Sequence, residues 1–310
     1  ERRKTLMLTI VQTALEAGVI YALVALALFL SYTILDIADL TTDGAFTLGC
    51  AVSATVCLMG HPVLALPMAM LAGAAAGFVT AFLQTKLGVP SILAGIITNF
   101  GLYSVNLTVM GSANVNLYKS DTIFSLVKET GFAGSWHKLL VASVVVLAVC
   151  VLLVLFLGTR LGLSIRATGD NTDMVRASSI NPVFTITVGL CLANAMTALS
   201  GALIAQYQKS ADMNLGTGMV VLGLASLIIG QSVISRGKSG ILRGVVAVVV
   251  GSLIYRAIYA VALKFNVTTY LKLITAVIVA LAIAAPALKD YFLLQRRKRA
   301  ALSERRRGAC

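Results

Sequence analysis

Long apolar runs alternate with short polar breaks along almost the whole chain. Requiring about 20 mostly apolar residues for a crossing marks stretches near 17–35, 44–60, 63–85, 90–111, 138–158, 183–208, 216–234, 243–263 and 271–288, nine in all. No charged residue falls between Ala45 and Thr85, between Leu87 and Tyr118, between Leu139 and Thr159, or between Asn181 and Gln208. Within a bilayer the backbone must satisfy its own hydrogen bonds, so apolar runs of this length read as helices. The pattern predicts an all-α fold, a polytopic transmembrane helical bundle of about nine spans.

The polar breaks carry the rest of the information. Ahead of the first run, Thr5, Thr9, Gln12, Thr13 and Glu16 recur every three or four positions and make one polar stripe. Such a stripe suits an interfacial helix, with Glu16 as a proton site inside the bundle as the functional alternative. The break Asp36-Ile-Ala-Asp39-Leu-Thr-Thr42-Asp43-Gly44 reads as a helix stop and a capped restart, with Thr42 or Asp43 as N-cap. It is either a polar loop at the membrane surface or a helix break in a solute path. The run from Ala38 to Gly49 is echoed from Ala211 to Gly223 with one residue inserted, the signature of an inverted internal repeat if the two copies face opposite sides.

One long break is a polar island from Gly158 to Pro182. Asp170 is placed to cap a short helix over Asn171 to Ser178, Asp173 and Arg176 pair at i,i+3, and Pro182 opens the next span. Met174, Val175 and Ala177 are then exposed apolar residues on a small helix, a shape that docks in a partner's groove.

Composition narrows the class. The chain has 310 residues, 58% hydrophobic and only 12% charged, with a mean hydropathy of +0.93, against roughly a quarter charged for a soluble domain. The net charge of +13 does not indicate nucleic acid, because the positives sit at the ends and in short loops. From Lys289 to Cys310 eight basic residues face two acidic ones, which marks a cytoplasmic tail against anionic lipid. The tail, Arg236/Lys238/Arg243 and Arg160/Arg166/Arg176 fall on one side if every span crosses, and that side is the cytoplasm. Nine crossings put the N-terminus outside, against the vote of Arg2, Arg3 and Lys4. The organisation is a transmembrane domain over 1–288, with a cytoplasmic loop at 159–182, and a basic tail over 289–310.

Chemistry is sparse. Gly237-Lys238-Ser239 is not a phosphate loop, since Ser232 stands where the pattern needs glycine. The two histidines sit at span ends, the five cysteines show no paired spacing, and no catalytic or metal-ligating constellation is present in the sequence. Gly73-x3-Gly77, Ala198-x3-Ala202 and Gly201-x3-Ala205 place small residues for close helix packing. Asn99, Asn106, Asn194, Gln206 and Gln231 are polar residues within spans, and the stem of Arg256 is long enough to snorkel outward.

At Leu161-Gly-Leu-Ser-Ile-Arg166-Ala-Thr-Gly169-Asp-Asn171, Ile180-Asn181-Pro182, Ala198-Leu-Ser-Gly201-Ala-Leu and Leu215-Gly-Thr-Gly218 the chain resembles the permease subunits of ATP-binding cassette importers of the branched-chain amino-acid and sugar type. Its wording at Ala167–Arg176 and Asp39–Gly44 looks most like members assigned to tryptophan or tyrosine uptake. The resemblance implies a type II importer-like bundle in a bacterial cytoplasmic (inner) membrane, moving a small polar solute, an aromatic or branched-chain amino acid, inward. It implies a second permease copy, two cytoplasmic ATP-binding subunits that carry ATP and Mg, and an extracytoplasmic solute-binding protein, with no cofactor on this chain. Asp170, Asn171, Asp173, Met174, Val175, Arg176, Ala177 and Ser178 then form the element that couples to the ATPase, while Asp39, Thr42, Asp43, Asn99, Asn194 and Gln206 are candidates for the path. The rival classes are an importer of sugar or nucleoside and an ion-coupled secondary transporter, which needs an ionisable site in its spans.

Overall fold

The computed structural model describes residues 2–129, 136–234 and 240–264, with single positions at 277, 280 and 284. Apart from those three positions, the apolar stretch 271–288 lies outside the described residues, as do the tail 289–310 and the basic residues Arg236 and Lys238. Residues up to Ala260 form one compact unit. A second unit runs from Val261 to Cys310, and its described part is chiefly the last turn of a helix.

The chain opens with α1 (Arg2–Leu28), which passes directly into a π-helical turn (Phe29–Ile34). The polar stripe at 5–16 is therefore the beginning of the first long helix and not a separate interfacial one. Part of the reason lies at its inner end: Glu16 is 4% exposed, and its carboxylate accepts hydrogen bonds from Gln12 (2.9 Å) and from the Tyr207 hydroxyl (2.8 Å). Asp36 then takes a left-handed backbone (φ 55°), which breaks the helix.

There follow α2 (Thr42–Leu58), α3 (Ala65–Thr85), α4 (Ser91–Met110), β1 (Asn114–Asn116), α5 (Ile123–Glu129) and α6 (His137–Gly158). After these come α7 (Arg160–Asp170), α8 (Thr172–Ala177), α9 (Pro182–Gln208), β2 (Ser210–Asp212), α10 (Met219–Ile234) and α11 (Ile241–Lys264). The two short strands pair antiparallel, Val115 opposite Ala211. Among the described residues six helices are long and apolar enough to cross a membrane: Val11–Ile34, Ala65–Thr85, Ser91–Met110, His137–Gly158, Pro182–Gln208 and Ile241–Val261. The stretches expected at 44–60 and 216–234 form helices of only 17 and 16 residues, about 25 Å and about 24 Å long at 1.5 Å per residue, against a hydrocarbon core of ~30 Å. Non-helical chain precedes each, with Asp36, Asp39 and Thr41 before the first and Asp212, Gly216, Thr217 and Gly218 before the second.

The centre is α9, buried from Ala193 through Gln206. Phe46 stacks on Tyr21 of α1 (6.0 Å between ring centroids) on its α2 side, and Gly73 and Gly77 of α3 lie against its backbone. Lipid offers no hydrophobic drive between helices, so contact relies on small residues and close backbones. At Gly201 there is no room for a Cβ beside the Phe46 carbonyl, and the Cys50 thiol and Ser53 hydroxyl donate to the Gly201 and Ala202 carbonyls at 3.2 Å each. A Gly201→Val chain is expected to lose at least about 3 kcal/mol, the upper range for overpacking, and to melt well below the parent in detergent by fluorescence-detected size exclusion. Parental melting would show that α2 and α9 are not pressed together there.

Candidate functional site

The two short helices begin at the same place. Asp43, in the first turn of α2, accepts hydrogen bonds from the backbone N–H groups of Gly218 and Val220 at the start of α10, each 2.9 Å. It caps not its own helix but the other one. At the head of α2 itself, Asp39 accepts from the Thr41 N–H (2.9 Å) and from the Asn194 side-chain amide (2.7 Å). The Thr42 hydroxyl donates to the Asp39 carbonyl (3.2 Å), and Thr41 meets Thr80 of α3 at 2.7 Å. Neither Thr42 nor Asp43 is the N-cap of α2; that position is Thr41, with no side-chain cap bond.

This junction lies deep. Asn194 stands 12 residues from Pro182 and 14 from Gln208 along the 27-residue α9, so roughly 18 Å and 21 Å from its ends. The helices leave it in opposite directions. From Asp39–Asn194 to Ser53–Ala202, α2 follows the sense of α9. The contacts of Gly223 with Val24 and of Gln231 with Thr33 show α10 following α1. Those of Glu16 with Tyr207 and of Leu35 with Gly189 set α1 antiparallel to α9.

Beside the junction is a cleft of about 420 Å³ between α2, α4 and the 213–217 loop. Its wall includes Asp43, Thr47, Asn99, Tyr103, Asn106 and Thr217. Of the path candidates, Asp43 and Asn99 line it; Asp39, Thr42 and Asn194 form the buried knot next to it; Gln206 stands apart. Gln206 is 1% exposed, and it accepts from the Ile123 N–H while donating to the Ser53 hydroxyl and the Pro62 carbonyl. It staples α9 to α5, α2 and the turn after α2. Tyr103, Asn106, Thr47 and Thr217 were not placed in the site from sequence. The signal for α4 was there, since Asn99, Tyr103 and Asn106 recur at helical spacing on one face.

Arg256 does not snorkel outward. Its guanidinium carbon sits 3.8 Å from the ring centroid of Tyr21, which is 5% exposed, and 5.2 Å from that of Tyr259. Stacking on the buried Tyr21 ring holds the charge within the bundle. Among the described residues no group of three or more His, Cys, Asp or Glu is placed to hold a metal ion.

The polar island is a chain of capped segments. Thr159 caps α7 through the Gly162 N–H (3.2 Å), Asn171 caps α8 through those of Asp173 and Met174 (3.0 Å each), and Asn181 caps α9 through that of Val183 (3.0 Å). The cap of the short helix is therefore Asn171, in extended backbone as an N-cap requires, while Asp170 ends α7. Val175 is likewise not exposed: it is 2% accessible, and its carbonyl accepts from the Ile180 N–H (3.1 Å). Met174, at 64% exposure, is the large apolar side chain that faces out, beside exposed Asp173, Arg176, Ala177 and Ser178. The island is tied to the bundle by Thr168 on Thr185 (2.8 Å) and by Gly169, packed against the Ile34 carbonyl with no space for a Cβ. Ile34 is two residues before the Asp36 break.

Residues 10–285 match the sequence profile of a family described as branched-chain amino acid transport system / permease component. The chain is 35% identical over 269 residues to a protein of Clostridioides difficile named tyrosine transport system permease protein, covering 86% of this chain and 88% of that one. An uncharacterized protein of Rickettsia prowazekii is 31% identical over 290 residues, 91% of this chain and 100% of that one. Among solved structures, an inward-facing metal-chelate type ABC transporter superposes with a TM-score of 0.50 at 19% identity, over 91% of this chain and 85% of that chain. At that identity the likeness speaks for the fold alone.

Proposed function

Since the chain belongs to the branched-chain amino-acid transport permease family, we propose that it is the membrane-spanning subunit of an importer that moves an amino acid inward on ATP hydrolysed by partner subunits. The multi-pass membrane location follows from its long apolar helices. The observation that carries the proposal is the island: a six-residue helix capped at its start, anchored by buried Val175 and presenting Met174 outward. The sequence offers no phosphate loop, so the free energy must enter through such a contact. Movement of α7 and α8 reaches the Asp36–Asp43 break through Gly169 on Ile34 and Thr168 on Thr185, and α2 and α10 part or close where Asp43 joins them.

In this reading the α7–α8 face is cytoplasmic and bears two ATP-binding subunits with ATP and Mg. The β1–β2 face is extracytoplasmic and receives a solute-binding protein, and a second copy of the chain completes the path in the bacterial inner membrane. The two broken helices are an inverted repeat. The solute is an aromatic or branched-chain amino acid, in keeping with the name of the C. difficile relative.

Proteoliposomes holding the permease, its ATPase and its binding protein should take up L-tyrosine, L-tryptophan or L-leucine only with Mg–ATP on the ATPase side. Buried Glu16 favours a second reading, ion-coupled transport; uptake driven by a proton or sodium gradient without the ATPase would establish that one instead. Orientation has its own check, in a chain whose five native cysteines are replaced. A cysteine at exposed Tyr118 should react with an impermeant maleimide in intact cells, and one at exposed Ser178 should react only after lysis. The reverse order would invert the topology.

A further inference from the structure

The geometry points to an amino-acid binding site within this chain, at the mid-depth cleft, in which the side-chain oxygen of Asn106 receives the ammonium group of the solute. Asn106 is 1% exposed and lines the cleft. Its amide nitrogen is committed to the Gly44 carbonyl (3.2 Å), which fixes the orientation of the group. The oxygen is left buried without a partner. A buried acceptor without a donor is costly, so a donor from a visiting solute is favoured there.

The charges around the cleft say which kind of donor. Two helix N-termini converge on it, each worth roughly half a positive charge, and the Asp43 carboxylate between them brings one negative charge. With the Asp39 carboxylate in the knot next to it the sum is negative, which suits a solute that brings an ammonium group. Among the described residues that line the cleft there is no Lys or Arg, so a bare anion meets no counter-ion, whereas an ammonium meets Asn106 with Asp43 nearby. Asn99 and Thr217 supply amide and hydroxyl groups for the carboxylate, and Tyr103 a ring for the side chain. A volume of about 420 Å³ falls within the usual range for small-ligand pockets.

This inference rests on the amino-acid permease reading but is tested apart from it, on the full chain alone in lipid nanodiscs. Radiolabelled L-tyrosine, L-tryptophan and L-leucine are measured by scintillation proximity and competed with two tyrosine analogues, tyramine and 3-(4-hydroxyphenyl)propionate. At least one amino acid should bind saturably. Tyramine, which keeps the ammonium, should compete, and the propionate, which lacks it, should compete roughly tenfold less well or worse, the scale of one hydrogen bond to a charged group. Asn106→Leu should weaken binding by a similar factor while the protein stays monodisperse and still captures the ATPase. Binding of none of the three, equal competition by the propionate, or unchanged binding by a well-folded Asn106→Leu chain would each overturn the site. Saturable binding together with no ATP-driven uptake by the full complex would instead remove the importer reading and leave the site standing.

Discussion

A Met174→Asp permease is expected to insert and fold normally yet lose its ATPase subunits and all ATP-driven uptake. Met174 is 64% exposed at the crest of a helix whose backbone is held by the Asn171 cap and the Val175 anchor. Changing it therefore disturbs nothing inside the bundle. An apolar anchor at the centre of a docking site commonly contributes about 2 kcal/mol or more, and a carboxylate in its place adds the cost of burying an unpaired charge. Association with the ATPase should weaken roughly 30-fold or more, since about 1.4 kcal/mol is a factor of ten. Asp173→Ala should do much less, because an exposed charge contributes at most about 1 kcal/mol. Co-purification of tagged ATPase with each variant, followed by uptake in proteoliposomes, measures both. Full assembly and parental uptake by Met174→Asp would mean that α8 is not the coupling element. Val175→Asp is the instructive control: it should damage the island itself, because that side chain points into the protein.

The difference between Met174 and Val175 shows what the sequence makes legible. Apolar run length is a local property, and the runs do become helices at 65–85, 91–110, 137–158, 182–208 and 241–264. The island announced a short helix for the same reason, through Asn and Pro at its ends. Its inward face was not legible, since a helix of six residues has too few apolar positions to define a stripe. Gln206 looked like a path residue because any polar side chain in an apolar run does. Its three hydrogen bonds come from segments 83, 153 and 144 residues away in sequence, and no local pattern reports them. Asp43 was legible as a cap but not as whose: the first N–H it accepts from lies 175 residues later, just before α10. The echo between 38–49 and 211–223 falls on the two segments that lead into these short helices.

Asp43→Ala should be the most damaging single change outside the island, through two routes that can be separated. Its carboxylate satisfies the Gly218 and Val220 N–H groups at the start of α10, at 2.9 Å each, deep between helices where little water can replace it. Hydrogen bonds to a charged acceptor are worth about 1.5–3 kcal/mol each, and loss of an N-cap alone costs about 1 kcal/mol. A drop of about 3 kcal/mol in stability is therefore expected, seen as a lowered melting point in detergent, together with loss of uptake. Asp43→Asn separates the routes. Its side-chain oxygen still accepts from the helix start, so folding should be largely restored, while the negative charge that balances two converging helix termini is gone. If the charge serves only to cap α10, Asp43→Asn transporters will move solute at parental rates. If it also sets the potential of the cleft, the Asp43→Asn variant will fold and its partner subunits will hydrolyse ATP, but the complex will take up an amino acid with an apparent KM raised by roughly tenfold or more, one hydrogen-bond-sized loss of electrostatic support. Normal stability and normal uptake in Asp43→Ala would show that the two short helices are not joined through this carboxylate.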